Sequence, residues 1–133
     1  MKVRLYTDDE ISKLKQSIFV RSIKYKRKIE YDPLFKLWTI MMRYDFPELS
    51  AREIFARGGL DINILHKKLP QRRIKDWVDN YKKFGIRYFL PEDEYYHSIT
   101  YIKDNKIVYD SMKMQLMDFV LKRLKELNIH DNR

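Results

Sequence analysis

The chain has 133 residues, enough for one compact domain and at most a small additional subdomain. With 44% apolar and 14% aromatic residues it carries too much packing material to be a disordered chain, although 35% of the residues are charged. The absence of cysteine excludes disulfides and thiolate metal sites, and the net charge of +9 favours an acidic partner.

The sequence also indicates where the protein works. The first residues, "MKVRLYTDDE", include several charged side chains and lack the apolar core of a signal peptide. The richest apolar run, "LWTIMM", is far too short to cross a bilayer. Together with the lack of cysteine, these features predict a cytoplasmic protein that has no membrane partner.

The positive charge is concentrated in two segments. Residues 21–28 carry five basic and no acidic side chains, and residues 66–88 carry eight basic against two acidic ones. Residues 89–110 are acidic, with five acids and two bases. This asymmetry predicts that one surface meets a polyanion, and the alternative is that the charge only keeps the protein in solution.

The first patterned segment is "TDDEISKLKQS". Thr7 and Glu10 have the spacing of a capping box, which predicts the start of a short helix. The next segment, "SIKYKRKIEY" at residues 22–31, alternates apolar and polar positions and predicts an extended structure without a clear turn signal. Its basic residues interleaved with tyrosine fit a nucleic-acid surface and an edge strand protected by charge equally well.

Two helices are predicted next. "DPLFKLWTIMMRYDF" begins with Asp32 as N-cap and Pro33 at the first helical position, and its wide apolar face predicts the central core helix. "SAREIFARGG" has Ser50 as its N-cap and should end at its glycine pair. The following "LDINIL" predicts one further helical turn capped by Asp61.

The stretch "LPQRRIKDWVDNYKKFG" predicts a longer helix that begins near Pro70 and ends at Gly85. Its charged side chains fall on one face. The opposite, core face is predicted to consist of Ile74, Trp77, Val78, Tyr81 and Phe84, which recur at spacings of three and four. Trp77 is therefore interpreted as a core residue and not as a platform for stacking bases.

The last third predicts a hairpin and a helix. After an acidic stretch interpreted as a solvated linker, "ITYIKDNKIVYD" places two apolar runs around Asp104 and Asn105, which favour a tight turn. "SMKMQLMDFVLKRLKELN" predicts a long helix with a broad apolar face. This face is either buried in the core or packed against a second copy of the chain. The predicted dimerisation residues are Leu116, Val120, Leu124 and Leu127.

No pattern indicates catalysis. The three glycines form no phosphate-binding loop, no serine stands in a nucleophile elbow, and no His–Glu pair has zinc-binding spacing. A metal site from Glu92, Glu94 and His97 is conceivable, but a solvated acidic linker explains these residues more simply. We expect a protein that is not an enzyme and that uses neither a cofactor nor a metal ion.

The predicted elements before Gly85 have the layout of a helix-turn-helix module. A short helix is followed by a connection and by a second helix that is apolar on one side and basic on the other. The second helix of such a module enters the major groove of DNA with its first turns, where side chains reach base edges. Predicted base-reading residues are Gln71, Arg72, Arg73 and Lys75, of which Arg73 could contact phosphate instead. Predicted phosphate contacts are Lys67, Lys68, Lys82 and Lys83, together with Lys26, Arg27 and Lys28.

Residues 6–85 resemble the helix-turn-helix modules of insertion-element transposases, especially the small stand-alone type of Gram-positive bacteria. The matching motifs are "YTDDEI", "REIFARGGLDINIL" and "RIKDWVDNYKKFG", the last of which resembles the Trp-x3-Tyr ending of transposase recognition helices. The resemblance implies DNA binding in transposition or in transcriptional regulation. Because no residues remain for a catalytic carboxylate domain, a role in transposition implies a partner such as a transposase or another mobile-element protein.

The chain departs from the pattern at one place. Ten residues separate Gly59 from Pro70, where a minimal module has a turn of about three or four. The segment "DINILHKK" is therefore an alternative recognition helix, although the helix that begins at Pro70 has the hydrogen-bond donors in its first turn.

The predicted fold is mostly α with a minor β component. A helix-turn-helix bundle, residues 1–85, is followed by a β-hairpin and a long amphipathic C-terminal helix, residues 86–133, which form a packing or dimerisation subdomain. The predicted function is that of a non-enzymatic, sequence-specific double-stranded DNA-binding protein that acts as a homodimer or other homo-oligomer. The alternative is a protein-interaction or assembly module of a phage or mobile element, such as a small terminase-like subunit.

Overall fold

The structure, a computed structural model, describes residues 4–129. In chain order its elements are α1 (Asp8–Leu14), β1 (Val20–Lys24), β2 (Lys28–Tyr31), α2 (Pro33–Asp45), α3 (Ala51–Arg57), α4 (Leu69–Phe84), a 3-10 helix (Ile86–Tyr88), α5 (Glu92–Ile99), β3 (Thr100–Lys103), β4 (Lys106–Tyr109) and α6 (Ser111–Leu127). Strands β1 and β2 form one antiparallel hairpin and β3 and β4 form another. The fold is thus mostly α with a minor β component, as predicted.

Helix α2 is the centre of the core. It is capped by Asp32, whose side chain accepts a hydrogen bond from the Leu34 amide at 2.9 Å, and Pro33 occupies its first position. Helices α3, α4, α5 and α6 all pack against it, and α3 also packs against α4. Its fully buried apolar side chains are Leu34, Phe35, Leu37 and Ile40. The prediction of a central core helix is confirmed.

The core continues from the first 85 residues into the rest of the chain. Ile99 of α5 and Met117 of α6 belong to the same cluster of buried side chains as the residues of α2, α3 and α4. Val120 and Leu124 of α6 lie in this cluster as well, with 0% and 1% of their surfaces exposed. A side chain buried in its own chain cannot also form a dimer surface, so these two residues are corrected from dimerisation to core residues.

The other two predicted dimerisation residues, Leu116 and Leu127, are half-buried against the same core. Exposed apolar side chains lie elsewhere in this part of the chain. They are found on the second hairpin and on α6, and comprise Tyr101, Ile102, Ile107, Tyr109, Met112 and Phe119. Together with the exposed Tyr88 and Tyr96, these residues form the apolar surface that this end of the molecule offers to another protein.

Local signals placed several elements correctly. Thr7 and Glu10 form the reciprocal capping box at the start of α1. Asp104 and Asn105 form the turn of the second hairpin with φ angles of 53° and 59°, the left-handed region that such turns require. Helix α4 ends at Gly85, which has a φ of 73°. No helix in residues 4–129 combines the length and apolar character needed to cross a membrane.

Three predictions differ from the structure. The extended segment at residues 22–31 is a hairpin, with its turn at Tyr25 and Lys26. The acidic stretch interpreted as a linker forms α5, because three acids in its first turn interact favourably with the helix dipole. Phe84, predicted to be a core residue, is 60% exposed, because it lies at the last position of α4, beyond the buried helices.

Candidate nucleic-acid interface

An aromatic cluster fixes the orientation of α4. The ring of Trp77 lies 5.2 Å from that of Tyr31, 5.9 Å from that of Phe35 and 6.0 Å from that of Phe55, measured between centroids. Edge-to-face and stacked contacts of this kind add to the free energy gained by burying the rings. Trp77 is therefore a core residue, as predicted, and its position determines which side of α4 faces outward.

The outward side of α4 carries most of the predicted DNA contacts. Gln71, Arg72 and Lys75 are exposed on its first two turns, and the first turn contains no acidic residue. Two predicted phosphate contacts, Lys67 and Lys68, are exposed just before the helix. The other two, Lys82 and Lys83, are exposed on its last turn. The four therefore lie at the two ends of the same exposed face.

The four predicted base-reading residues do not share one flank of α4. Gln71 and Lys75 line a small pocket together with Ala51 at the start of α3. Arg73 lies on the opposite flank, four residues before Trp77, and faces a larger cleft. Because one groove of DNA meets one side of a helix, Arg73 is separated from the other three residues.

Ion pairs reduce the available positive charge on this face. Lys75 Nζ lies 3.1 Å from Asp79, and Arg73 Nη1 lies 3.3 Å from Asp76. Within residues 4–129, no carboxylate lies within ion-pair distance of the remaining predicted contacts of α4 and its approach, namely Lys67, Lys68, Arg72, Lys82 and Lys83. These five cations therefore dominate the field of the outward face.

The connection between α3 and α4 contains no helix among its residues, 58–68. Gly58 packs so closely on Phe35 that an added Cβ would lie 2.5 Å from the ring, and the carbonyl of Gly58 accepts a hydrogen bond from the Ser17 hydroxyl at 2.9 Å. The predicted helical turn is a simple hydrogen-bonded turn instead, in which the Asp61 side chain accepts a hydrogen bond from the Asn63 amide at 3.0 Å, while Ile64 and Leu65 are buried. The alternative recognition helix "DINILHKK" is therefore not formed, and α4 is the helix that follows the connection.

A cleft of about 1090 Å³, here called the basic cleft, lies between the first hairpin, α2, α4 and α5. It is lined by five cations from three of these elements, Arg21, Arg27, Lys28, Lys36 and Arg73. Only two carboxylates, Glu30 and Glu94, line it among the described residues. The two basic segments of the sequence thus meet at this cleft, although 37 residues separate them.

The predicted phosphate contacts of the first hairpin have different surroundings. Arg27 and Lys28 line the basic cleft, and the guanidinium of Arg27 lies 5.9 Å from the centroid of the exposed Tyr25 ring. Lys26 points elsewhere and pairs with Asp8, with 3.1 Å between Nζ and Oδ1. Of these three predicted contacts, two therefore line the cleft and one forms an exposed ion pair.

Sequence reasoning missed two residues of the basic cleft. Arg21 extends from β1 and donates a hydrogen bond from Nη1 to Glu94 Oε2 at 2.7 Å. Lys36 extends from α2, and its Nζ lies 5.9 Å from the centroid of the Trp77 ring. The available signal was a lone lysine within the apolar run "PLFKLW", where a charge is costly unless a ligand or a partner accommodates it.

The electrostatics of the cleft follow from burial and from neighbouring charges. Burial lowers the pKa of the Lys36 ammonium, and the nearby guanidinium of Arg21 lowers it further. The carboxylates of Glu94 and Glu30 oppose this effect without cancelling it. Burial also raises the pKa of the Tyr31 phenol, which stays protonated and able to donate a hydrogen bond.

The described residues contain no group of three or more potential ligands arranged to hold a metal ion. Comparisons of the chain with protein-family models, with curated proteins and with solved structures give no match. The resemblance to transposase modules therefore stays a prediction.

Proposed function

We propose that the protein binds double-stranded DNA in a sequence-dependent way and has no catalytic activity of its own. The observation that carries this proposal is the orientation of α4: Trp77 and Ile74 are buried, so Gln71 and Arg72 must face outward on its first turns. Exposed Arg and Gln side chains at the start of a helix are suited to guanine and adenine edges in the major groove.

The pairwise packing of α2, α3 and α4 supports this proposal, because three packed helices with an exposed third helix are typical of helix-turn-helix modules. In our proposal Gln71, Arg72 and Lys75 read bases. Arg73 belongs with Arg27 and Lys28 on the other flank, where it is suited to phosphate. The phosphate contacts on either side of the reading residues are Lys67, Lys68, Lys82 and Lys83.

Salt dependence of binding to DNA tests this proposal. Each phosphate neutralised by a cation releases counterions, so affinity for duplex DNA should fall steeply and linearly on a logarithmic scale as salt is raised. Selection from random duplexes, followed by sequencing, should return one preferred site. Undetectable binding to both random and selected duplexes at low salt would refute the proposal.

We propose, further, that the protein works in the cytoplasm, in transposition or transcriptional regulation, and that it self-associates or meets a transposase or other mobile-element protein. The support for self-association or a protein partner is the apolar surface of the second hairpin, where Ile102 and Ile107 lie opposite each other in the register and are 77% and 72% exposed. Exposed apolar patches of this kind mark protein–protein contacts.

The same surface favours the second candidate function, an assembly module of a phage or mobile element in which the basic helix is only a solvated face. The two functions differ in what a partner-free preparation does. A DNA-binding protein shows salt-dependent binding to duplexes on its own, whereas an assembly module shows none and depends on the apolar hairpin for its activity.

A further inference from the structure

Two buried polar atoms at the basic cleft lack a hydrogen-bond partner. They are Nη2 of Arg21 and the hydroxyl of Tyr31, and no other buried side-chain nitrogen or oxygen in the described part of the chain is in this state. Tyr31 is only 8% exposed, and both residues line the cleft. Buried polar groups in folded proteins are normally satisfied, so two orphaned ones at the same cleft indicate that a ligand supplies the missing partner.

The groups that face the cleft are predominantly donors. Arg21 Nη2 and the Lys36 ammonium can only donate hydrogen bonds, and the Tyr31 phenol is protonated and can donate one. In the described part of the chain, no carboxylate lies within ion-pair distance of Lys36. Arg73 pairs with Asp76 through Nη1, which leaves its other guanidinium nitrogens available. The complementary ligand group is therefore an anion that has several acceptor oxygens.

Phosphate fits this arrangement better than a single carboxylate. The five cations of the basic cleft outnumber the carboxylates that line it or pair with them, because Asp76 pairs with Arg73 and Asp32 lies 3.9 Å from Arg21 Nε in addition to the lining Glu30 and Glu94. The cleft therefore keeps a positive charge that suits an anion. Arginine forms paired hydrogen bonds to phosphate oxygens, and lysine binds phosphate as a point charge. The cleft is a concave site lined by side chains of several elements, which suits a compact phosphate on a small molecule better than the extended backbone of a duplex.

The rim of the cleft provides a surface for a planar ring. Tyr88 lines the cleft, is about half exposed, and stacks on the exposed Phe84 ring with 5.2 Å between centroids. Aromatic side chains with a free face bind nucleobases by stacking. The volume of the cleft, about 1090 Å³, is at the upper end of the range for small-molecule sites and accommodates such a ligand.

We propose that the basic cleft is a binding site for a small phosphorylated molecule of the nucleotide class. Arg21, Lys36 and Arg73 hold its phosphate, the hydroxyl of Tyr31 donates to a phosphate oxygen, and Tyr88 stacks on its ring. This site lies on the flank of α4 opposite Gln71 and Lys75, so it is separate from the proposed base-reading residues and does not depend on them, although Arg73 is shared with the phosphate contacts proposed above.

Calorimetric titration of the full chain with AMP, ribose 5-phosphate and adenosine tests the proposal. AMP should bind more tightly than ribose 5-phosphate, and adenosine should not bind detectably. Lys36→Gln should weaken AMP binding roughly tenfold or more, as expected for the loss of a charge-assisted hydrogen bond. The matched control is Lys75→Gln on the opposite flank of α4, which should leave AMP affinity unchanged.

Tyr31→Phe provides a second, independent measurement. It removes only the orphaned hydroxyl, so it should weaken AMP binding several-fold while leaving the melting temperature of the ligand-free protein unchanged or raised. Tyr81→Phe removes the hydroxyl of another buried tyrosine, outside the cleft, and should not affect AMP binding.

Three results would overturn the site. The first is that neither AMP nor ribose 5-phosphate binds. The second is that AMP binds the parent protein, Lys36→Gln and Tyr31→Phe with equal affinity. The third is that Tyr31→Phe lowers the melting temperature, which would mean that the hydroxyl already has a partner. Equal affinities for AMP and ribose 5-phosphate would overturn the role of Tyr88. The proposed DNA binding is tested separately, by titrating the same Lys36→Gln and Lys75→Gln proteins with duplex DNA.

Discussion

Lys113 Nζ lies 2.9 Å from Oδ2 of Asp32, although 81 residues separate the two in the sequence. The carboxylate of Asp32 is buried and also accepts hydrogen bonds from the amide of Leu34 and the hydroxyl of Ser98. One side chain thus caps α2 and, at the same time, binds α5 and α6 to it. Helices α5 and α6 are joined to the first 85 residues through this polar centre as well as through the apolar core.

Replacement of Asp32 by alanine should lower the free energy of unfolding by about 3–5 kcal/mol, because it leaves the largely buried Lys113 ammonium without its carboxylate and removes the cap of α2. Ser50→Ala is the control, since Ser50 is an exposed N-cap that bears no ion pair, and it should cost about 1 kcal/mol. Urea denaturation measures both values. Equal losses in the two variants would show that Asp32 acts only as a cap.

The division of α4 into two flanks predicts different roles for two adjacent arginines. Arg72→Ala should weaken binding to a selected DNA site by about 1–3 kcal/mol and relax the preference at one base pair. Arg73→Ala should leave the base preference intact, because Arg73 lies on the flank of the basic cleft. Competition between selected and random duplexes measures the preference, and Lys83→Ala should weaken both kinds of duplex alike. Loss of the base preference in Arg73→Ala would contradict this division.

Self-association should depend on the second hairpin and not on the buried face of α6. A protein with Ile102→Lys and Ile107→Lys should sediment as a monomer at micromolar concentration and stay folded, because both side chains are exposed. Leu124→Asp should unfold the protein instead, since it places an unpaired charge in the core at a cost of several kcal/mol. Parent protein that already sediments as a monomer would rule out self-association at this concentration.

The first hairpin predicts a stabilising substitution. Tyr25 and Lys26 have φ angles of 55° and 56°, a region that is unfavourable for both residue types. Changing them to Asn and Gly should raise the free energy of unfolding by about 1 kcal/mol, because Asn and Gly tolerate positive φ angles better than Tyr and Lys do. Asn105→Gly in the second hairpin is the control and should gain less, since Asn already tolerates this conformation. Destabilisation by the Asn-Gly pair would mean that the Tyr25 side chain contributes more than its backbone costs.

The two hairpins also show what could be predicted from the sequence. The second has Asp104 and Asn105 at its turn, residue types whose local preference indicates the turn directly. The first has no such signal, and its turn is held by a contact distant in the sequence, a hydrogen bond of 2.6 Å from the amide of Tyr6 to the carbonyl of Lys26. Periodicity predicted the strands there, but only the tertiary contact determines where the chain reverses.

The candidate site was predictable to a similar extent. The outward face of α4 follows from the spacing of Ile74, Trp77 and Tyr81, because a helix buries one side. The basic cleft does not follow from any spacing, since Arg21, Lys36 and Arg73 belong to three different elements that only tertiary packing brings together. The dimerisation residues were misassigned for the same reason: an apolar helix face does not reveal whether its own chain or a second copy covers it.

The lowered pKa of Lys36 predicts a dependence of stability on pH. The folded protein releases the Lys36 proton at a lower pH than the unfolded chain does, so the free energy of unfolding should rise with pH between these two pKa values. Lys36→Gln should lose this rise, whereas Lys75→Gln, which removes an exposed lysine, should retain it. Urea denaturation from neutral pH to about pH 10.4, the ordinary pKa of lysine, measures the three profiles. Parallel profiles for all three proteins would contradict the prediction.

The same lysine should report occupation of the basic cleft. A bound phosphate near the Lys36 ammonium stabilises its charged form, so saturating AMP should raise the pKa of Lys36 towards the ordinary value for lysine. The charged groups that influence Lys36 are Arg21, Arg73, Glu30 and Glu94, and none of them is removed by the ligand, so the shift can be assigned to the phosphate. Titration of the lysine side-chain signals by NMR, with and without AMP, measures the change, and adenosine should leave the titration of Lys36 unaltered. If AMP binds and the Lys36 titration stays the same, the phosphate lies elsewhere on the protein.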